Sequence, residues 1–510
     1  MSGPGKSAPA AGAAQMSVRS AAAWALTSQY AAFAIQFATS VLLARLFISP
    51  AELGLFSIAF AAVSLVSFLQ DFGVTRYVNG ERELTETKLA TAYTVSVLFA
   101  WSVALLALLA SAPIASFYGD ARLLPIARII AASYLMVPLS IVPQATCQRR
   151  MDYKSNTMIE LGSSIANAAV AIVLAMRGHG AAALAWGAFA QQAARLVVSQ
   201  WRAARIEGRL LLPWPLRLTG TRPVLEIGAT NSVLTTCYSL NARLPELVIG
   251  RLISNVGVGL FARASGLAIQ LRLLVAGAVT GVFYPAFRQV RDSGQPLGPP
   301  FLRVVGAYTG VTWAAMAGIA VTATPLIQIL YGPRWLEAAP LLKWIALSQL
   351  CYVAVPLAYD LPLLLDRKTG LIRRNLIETG ISVLLIALAA PFGLGWVAIS
   401  RFAHGLIWIA IYAPFMRAML DFSWRDLANV WGKSLAATLA AVAPLLASYA
   451  LVHPATDAGL LQIGLGTLAG VIAWFVVLAM TRHPLLAEIT GMLRALRGAA
   501  MRPRPAAASR

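Results

Sequence analysis

Two arginines in one long apolar segment are the residues of this sequence best suited to bind a ligand. Arg263 and Arg272 are the charged residues of the stretch 257–284. An ionisable side chain inside a membrane helix costs about 2.5–3.5 kcal/mol on insertion scales, so it needs a partner or a water-filled cavity. Guanidinium groups bind phosphate oxygens bidentately, whereas a structural role would pair them with acids such as Asp71 or Glu226. Nine residues turn a helix by about 900°, so the two arginines need not share one face.

Residues typical of catalysis and metal binding show no usable spacing. The four histidines are expected near helix ends at the membrane surface, and the three cysteines form no CxxC pattern. No GxxxxGK[ST] phosphate loop occurs, and the longest predicted cytoplasmic connection, 201–222, holds a single acid. We therefore predict a protein that is not an enzyme and that uses no cofactor or metal. The residues concerned are His179, His404, His453, His483, Cys147, Cys237 and Cys351.

The composition is that of a polytopic membrane protein. Of the 510 residues, 59% are hydrophobic and 12% are charged, against about 25% charged residues in soluble domains. The apolar residues cluster into blocks close to the length that crosses a hydrocarbon core of about 30 Å. We predict about fourteen transmembrane helices, near 20–44, 53–78, 89–111, 123–143, 157–176, 181–200, 224–249, 257–284, 301–324, 338–360, 372–390, 394–416, 434–452 and 459–480.

The basic residues lie mainly between these blocks and predict the orientation. With a cytoplasmic N-terminus, 29 lysines and arginines fall in cytoplasmic segments and 5 in external ones, as the positive-inside rule requires. Both termini are therefore predicted to be cytoplasmic. The formal net charge of +21 then reflects orientation and contact with anionic membrane lipids, and no nucleic-acid partner is expected.

An internal repeat divides the helices into two groups. Residues 44–56 (ARLFISPAELGLF) are similar to residues 250–261 (GRLISNVGVGLF) after one gap, and six predicted helices separate the copies. An even number predicts a parallel repeat, as in two-lobed transporters. The predicted organisation is an all-α protein with an N-terminal tail (1–19), a first six-helix lobe (20–200), a basic linker (201–222), a second six-helix lobe (223–416), two additional helices (417–480) and a basic tail (481–510).

Six short motifs, taken in order, resemble those of the bacterial polysaccharide transporter family, lipid-linked oligosaccharide flippases of the MATE-like MOP superfamily. They are 43–56 (LARLFISPAELGLF), 71–74 (DFGV), 142–154 (VPQATCQRRMDYK), 259–267 (GLFARASGL), 283–287 (FYPAF) and 325–335 (PLIQILYGPRW). The family usually has an acid shortly before the Ile-Gly-Arg of helix seven, where this chain has Pro245 with Glu246 beside it.

The resemblance implies a V-shaped, two-lobed carrier of the bacterial inner membrane. It would move undecaprenyl-diphosphate-linked oligosaccharide units to the periplasmic leaflet by alternating access, for exopolysaccharide or lipopolysaccharide synthesis, alongside a polymerase and other assembly proteins. Arg263 and Arg272 would line a cationic central cavity that holds the diphosphate, and Arg76 would recruit the headgroup or serve only as a positive-inside anchor.

Further polar residues are candidates for the same cavity. Three of them, on helix seven, would hydrogen-bond sugar hydroxyls or pack against other helices. Two acids would couple transport to protons or sodium, although direct use of the membrane potential is an equal alternative. The helix-seven residues are Asn231, Tyr238 and Asn241, and the acids are Asp71 and Glu226.

Three other functions remain open from the sequence. An ion-coupled multidrug antiporter of the same fold would have acids dominating its cavity, whereas here arginines are at least as numerous. A polysaccharide polymerase or glycosyltransferase would have a large polar loop with a catalytic cluster. A non-catalytic assembly scaffold would show no transport.

Overall fold

The computed structural model describes residues 18–67, 74–81, 83–150, 152–213, 216–218, 221–486 and 490. Within these ranges all regular structure is helical, which confirms the all-α class. The α-helices are α1 (Val18–Leu46), α2 (Pro50–Ser67), α3 (Val74–Gly80), α4 (Glu86–Tyr118), α5 (Leu123–Ser133), α6 (Val137–Arg149), α7 (Tyr153–Met176), α8 (Ala181–Glu207), α9 (Arg222–Leu252), α10 (Asn255–Asp292), α11 (Gly298–Val321), α12 (Ala323–Tyr331), α13 (Ala338–Val353), α14 (Asp360–Leu364), α15 (Lys368–Ala389), α16 (Leu394–Leu420), α17 (Trp424–Leu451) and α18 (Leu460–Met480).

The predicted apolar blocks coincide with these helices. Each block overlaps one helix or two consecutive ones, such as α2 with α3 and α11 with α12. In the described part of the chain, nine spans are long and apolar enough to cross a membrane. The number fourteen therefore stays a prediction, while the multiple-span architecture is a finding.

Helix ends follow local sequence signals. The Asp152 side chain accepts a hydrogen bond from the backbone N–H of Ser155 at the start of α7, and Ser423 caps α17 in the same way, so each satisfies an otherwise unpaired N–H group. At the end of α8, Gly208 adopts a left-handed conformation with φ of 71°, which glycine does without steric cost.

The chain divides into two compact units. The first comprises Met1–Ser40, Val66–Ala112 and Leu124–Ser232, and the second comprises Val41–Leu65, Pro113–Leu123 and Val233–Arg510. The second unit thus includes the ends of α1 and α4 and most of α2. The predicted arrangement of two six-helix lobes, linker, added helices and tails stays a prediction.

The first unit has its own apolar core and a well-anchored connection after α8. The core joins residues of α3, α4, α6 and α8, including Val78 and Val142. The Gln200 side chain donates to the Leu211 carbonyl at 2.8 Å and accepts from the Leu211 N–H at 3.2 Å. The Tyr93 hydroxyl donates to the same carbonyl at 2.8 Å. These bonds fix part of the segment that the sequence marks as a basic linker.

The second unit is built around α11 and α13 to α17. Its largest core cluster includes Phe301, Leu361 and Tyr412, all fully buried. On its outside, α18 keeps large apolar side chains exposed, such as Leu461 at 76% and Met480 at 78%. Such surface is unfavourable in water but suits lipid, so the exposure pattern agrees with the hydropathy of the sequence.

Candidate functional site

A cavity of about 400 Å³ lies within the second unit. Residues of α9, α10, α11, α13, α15 and α16 form its wall, together with the bend between α13 and α14. The cavity lies among long apolar helices, so polar groups in its wall have few alternatives to pairing with each other or with a ligand.

The non-helical segment between α13 and α14 forms part of the cavity wall. α13 ends at Val353, and Pro356 follows, which cannot supply the N–H that would continue the helix. Next to it, the buried residue Leu357 has φ of 57°, a left-handed conformation that is strained for a residue with a side chain. Both residues contribute to the cavity wall. Strain of this kind persists where the surrounding structure fixes it and occurs often at binding sites.

Three of the predicted binding residues meet in this cavity, namely Arg272, Tyr238 and Asn241. The Nε of Arg272 is buried and has no hydrogen-bond partner among the described residues. Tyr238 is exposed. The Asn241 amide donates to the Thr379 hydroxyl at 3.0 Å, while its own oxygen is buried without a partner in the described part of the chain. An anionic or hydroxyl-bearing ligand could satisfy these groups.

Arg263 lies elsewhere. It is buried, and its guanidinium carbon lies 4.7 Å from the ring centre of Tyr331 and 5.1 Å from that of Trp335. Arg263 is not part of the cavity wall. Cation–π contacts of a desolvated guanidinium contribute about 2 kcal/mol, so this arginine has a structural environment that offsets part of its burial.

The remaining predicted residues are only partly placed. Arg76 is on α3, and Glu226 and Asn231 are on α9, but the structure does not describe their side chains. Asp71 lies outside the described residues. Their roles in headgroup recruitment, sugar binding and ion coupling therefore stay predictions.

A buried polar network in the cavity wall escaped the sequence analysis. His404 Nε2 lies 3.3 Å from Glu378 Oε1, and the two side chains are 1% and 4% exposed. The other ring nitrogen, Nδ1, is 2.6 Å from the Tyr352 hydroxyl. Arg401 donates to that hydroxyl at 3.2 Å and to the Ser382 hydroxyl at 2.7 Å.

The expected surface position of His404 is therefore wrong. The residue lies well inside α16, and Glu378 lies near the middle of α15, because that helix begins at Lys368, before its apolar block. One signal was available. Arg401 and His404 are three residues apart, and Glu378 and Ser382 are four apart, so each pair shares a helix face.

The charges of the cavity wall are mixed. Arg272 and Arg401 carry positive charge, and Asp360 and Glu378 carry negative charge. The sequence predicts a cationic cavity, whereas the wall in the structure contains both arginines and acids. The wall also contains aromatic side chains, among them Tyr308, Tyr352, Tyr359 and Trp408. Aromatic rings with polar tips suit a ligand that has both apolar faces and hydroxyl groups.

Glu246, on α9 (the seventh predicted helix), is buried beside an arginine. The Glu246 carboxylate lies 3.7 Å from Arg243 Nη1, beyond hydrogen-bond distance, and Arg243 is positioned over the Phe60 ring at 4.7 Å. Glu246 is 7% exposed. Its neighbour Pro245 contributes to the cavity wall. The position at which this chain differs from the usual family pattern therefore lies next to the candidate site.

Three of the sequence motifs come together in the second unit. The Trp335 indole donates to the Ala44 carbonyl at 3.0 Å, which joins the motif 325–335 to the motif 43–56. The motif 259–267 contacts the other two, because Arg263 lies over Trp335 and Gly259 touches the backbone of Pro50. These motifs thus maintain helix packing, and two residues of the motif 259–267, Phe261 and Ser265, also line the cavity.

The family model and two curated relatives that match this chain are named for polysaccharide synthesis or transport. Residues 42–340 match the family model described as polysaccharide biosynthesis protein. The succinoglycan biosynthesis transport protein ExoT of Rhizobium meliloti (strain 1021) is 23% identical over 92% of this chain and 94% of ExoT. The lipopolysaccharide biosynthesis protein WzxC of Escherichia coli (strain K12) is 22% identical over 64% of this chain, and the match spans 65% of WzxC, slightly under two thirds.

Solved structures give the fold. The lipid II flippase MurJ, in an inward closed conformation, matches with a TM-score of 0.70 at 12% identity, over 89% of this chain and 97% of MurJ. An inward-facing multidrug resistance MATE transporter of the MOP superfamily matches with a TM-score of 0.57 at 13% identity, over 78% of this chain and 96% of its own. The chain is therefore a multi-pass membrane protein with the fold of the MOP superfamily, and it belongs to the polysaccharide biosynthesis protein family.

Proposed function

We propose that this protein is a flippase that moves undecaprenyl-diphosphate-linked oligosaccharide units across the bacterial inner membrane for exopolysaccharide or lipopolysaccharide synthesis. Its relatives are named for the transport or biosynthesis of succinoglycan and lipopolysaccharide, and the structurally similar MurJ is named for lipid II. The proposed cargo combines a charged diphosphate, a sugar part and a long lipid.

The observation that supports this function most is the position of Arg272. Its buried Nε lacks a partner among the described residues and lies in the wall of a cavity. A guanidinium binds a diphosphate through charge-assisted hydrogen bonds, and such a ligand would compensate the cost of keeping the group within the membrane.

The rest of the cavity fits the sugar part of the cargo. Tyr238 and the free oxygen of Asn241 offer hydrogen bonds to hydroxyl groups, and the aromatic side chains of the wall offer apolar faces. The lipid tail would remain in the bilayer, since hydrocarbon gains nothing from entering a polar cavity. Movement of the headgroup between the two membrane faces would follow alternating access, with both termini in the cytoplasm and a polymerase consuming the exported unit.

A multidrug antiporter is the second candidate, because the MATE transporters share the fold. Two observations favour the flippase. The structural match to MurJ is closer and covers more of the chain. The two acids of the cavity wall do not outnumber its two arginines, whereas a carrier of cationic drugs is expected to have acids in excess. A polymerase or glycosyltransferase is less favoured still, since ExoT, the relative matched over most of its length, is named a transport protein.

Complementation tests the proposal. A strain that lacks its own copy of this gene would receive the wild type, Arg272→Ala or Arg272→Lys, each at matched membrane abundance. We expect Arg272→Ala to lose most polysaccharide export and to accumulate lipid-linked units, because one charge-assisted contact to phosphate contributes about 1.5–3 kcal/mol. Arg272→Lys should restore part of the export, since the charge remains but the bidentate geometry is lost.

The matched control is Arg177→Ala, which removes an exposed arginine after α7 and should leave export unchanged. Wild-type export by Arg272→Ala would contradict the assignment of this cavity. Ethidium efflux by the wild type without any polysaccharide export would instead favour the antiporter.

A further inference from the structure

We propose that Glu378 and His404 form a proton-binding site whose occupancy is linked to the binding of an anionic headgroup in the neighbouring cavity. This inference rests on the proposed function only in taking the headgroup to be a diphosphate. The site stands on geometry: a carboxylate and an imidazole lie 3.3 Å apart, both almost completely buried, between two long apolar helices.

Both ring nitrogens of His404 have a hydrogen-bond partner. Arg401 can only donate, so the Tyr352 hydroxyl accepts its hydrogen bond. The hydroxyl proton is then available to His404 Nδ1, at 2.6 Å. His404 Nε2 lies 3.3 Å from the Glu378 carboxylate and 3.4 Å from the Glu378 backbone carbonyl, so a proton on this nitrogen has an acceptor.

The surrounding groups determine what a further proton does. The charged residues that share the cavity wall with the pair are Arg401 on the same helix as His404, Arg272 on α10 and Asp360 at the start of α14. The other titratable side chains near it are Tyr352, Tyr359, Tyr412, Cys237 and Cys351, which are neutral near pH 7. With Glu378 ionised, two arginines and two carboxylates balance.

One additional proton makes the cavity positive. It either neutralises Glu378 or charges His404, and the charge of the pair rises by one in both cases. A negatively charged ligand beside Arg272 then meets less repulsion, so anion binding and proton binding favour one another, as linkage requires. The co-bound proton also lowers the net negative charge of the loaded cavity, which reduces the cost of carrying a diphosphate through the membrane.

Binding of methanedisulfonate to the purified full-length protein in detergent tests this linkage. The probe has two negative charges, like a diphosphate, and it does not titrate between pH 6 and pH 8. We expect its affinity for the wild type to fall by about tenfold from pH 6 to pH 8. Calorimetry in buffers of different ionisation enthalpy should show proton uptake on binding.

Two variants of the pair should abolish both the pH dependence of the affinity and the proton uptake on binding. Glu378→Gln keeps a group that can accept from His404 and should bind the probe with similar affinity at both pH values. His404→Gln is the second variant, in case the first fails to fold. The control is Asp360→Asn, which removes the other carboxylate of the cavity and should keep the pH dependence.

The outcomes separate this inference from the proposed function. Binding by the wild type that neither varies with pH nor takes up a proton overturns the proton site and leaves the flippase intact. Unchanged proton uptake in both Glu378→Gln and His404→Gln overturns it as well. If the probe does not bind at any pH, both the proton linkage and the use of this cavity for anions are wrong.

Discussion

Substitution of Gly259 provides the sharpest test of the helix packing. A Cβ added at Gly259, on α10, would lie 1.9 Å from the Pro50 carbonyl oxygen of α2, and a Cβ at Gly54 would lie 1.8 Å from the Asn255 carbonyl oxygen. Ordinary contacts begin near 3.4 Å, so Gly259→Ala requires the two helices to separate by about 1.5 Å. Backbone atoms cannot rotate away as a flexible side chain would.

The expected cost is large for a single methyl group. Overpacking costs typically 1–3 kcal/mol where side chains adjust, so a backbone clash should cost about 3 kcal/mol. The control is Gly266→Ala on the same helix, where an added Cβ meets nothing within 4 Å. That variant should gain stability by about 0.5–1 kcal/mol from helix propensity. The measurement is thermal unfolding of the purified proteins in one detergent.

A double variant makes the test more specific. The separation that relieves the clash at Gly259 also relieves the clash at Gly54, because both contacts lie at one crossing. Gly54→Ala with Gly259→Ala should therefore cost clearly less than the sum of the single variants. Equal stability of Gly259→Ala and Gly266→Ala, or strict additivity of the two clashing variants, would refute the reasoning.

Three further predictions concern other parts of the molecule. Asp120 accepts hydrogen bonds from the Arg122 guanidinium, which hold the pKa of its carboxyl below the usual value. Its stabilising effect is present above the unfolded-state pKa of about 4 and is lost as the pH falls through the lower folded value, so the melting temperature of Asp120→Asn should depend less on pH below 4. Gly470→Ala should destabilise the packing of α17 with α18, because its Cβ would lie 2.1 Å from a backbone oxygen, whereas Gly464→Ala, with open space, should not; limited proteolysis would distinguish them. Arg263→Lys should lower the melting temperature and leave the affinity for methanedisulfonate unchanged, because the residue lies outside the cavity wall.

The sequence predicts the helices well because its signals are local. Hydropathy blocks identify the elements, since a helix satisfies its own backbone hydrogen bonds wherever it lies in the membrane. The boundaries are less accurate. The predicted block 372–390 puts Glu378 within two turns of a helix start, whereas α15 starts at Lys368. A helix can begin with a polar first turn, which hydropathy does not detect, so the predicted start falls after the real one.

The site is harder to predict because it depends on which faces meet. The sequence singles out Arg272 as a residue that needs a partner or a cavity, and the structure places it in the wall of a cavity. Arg263 has the same chemical type and similar surroundings in the sequence, yet it lies against Tyr331 and Trp335. These two aromatic residues follow Arg263 by 68 and 72 positions in the sequence. The spacing of the arginines along α10 contains no information about which of them the aromatic residues will contact.

The internal repeat explains why two glycines occur at one crossing. In the alignment of the two copies, Pro50 corresponds to Asn255 and Gly54 corresponds to Gly259. The structure shows the reciprocal contacts, with Gly54 against Asn255 and Gly259 against Pro50. Each glycine thus contacts the residue that corresponds, in the other copy, to the partner of the other glycine. Such reciprocal contacts are typical of a two-fold arrangement.

The same relation extends to the helix ends nearby. Tyr118-Gly119 ends α4, and Tyr331-Gly332 ends α12, and both glycines have positive φ, at 68° and 87°. A two-fold crossing requires that both copies keep a residue without a side chain, because a Cβ in either copy forces the same pair of helices apart. We therefore expect export to tolerate neither Gly54→Ala nor Gly259→Ala, although each lies in a different copy of the repeat. Normal export by one variant and loss by the other would show that the two copies do not meet symmetrically.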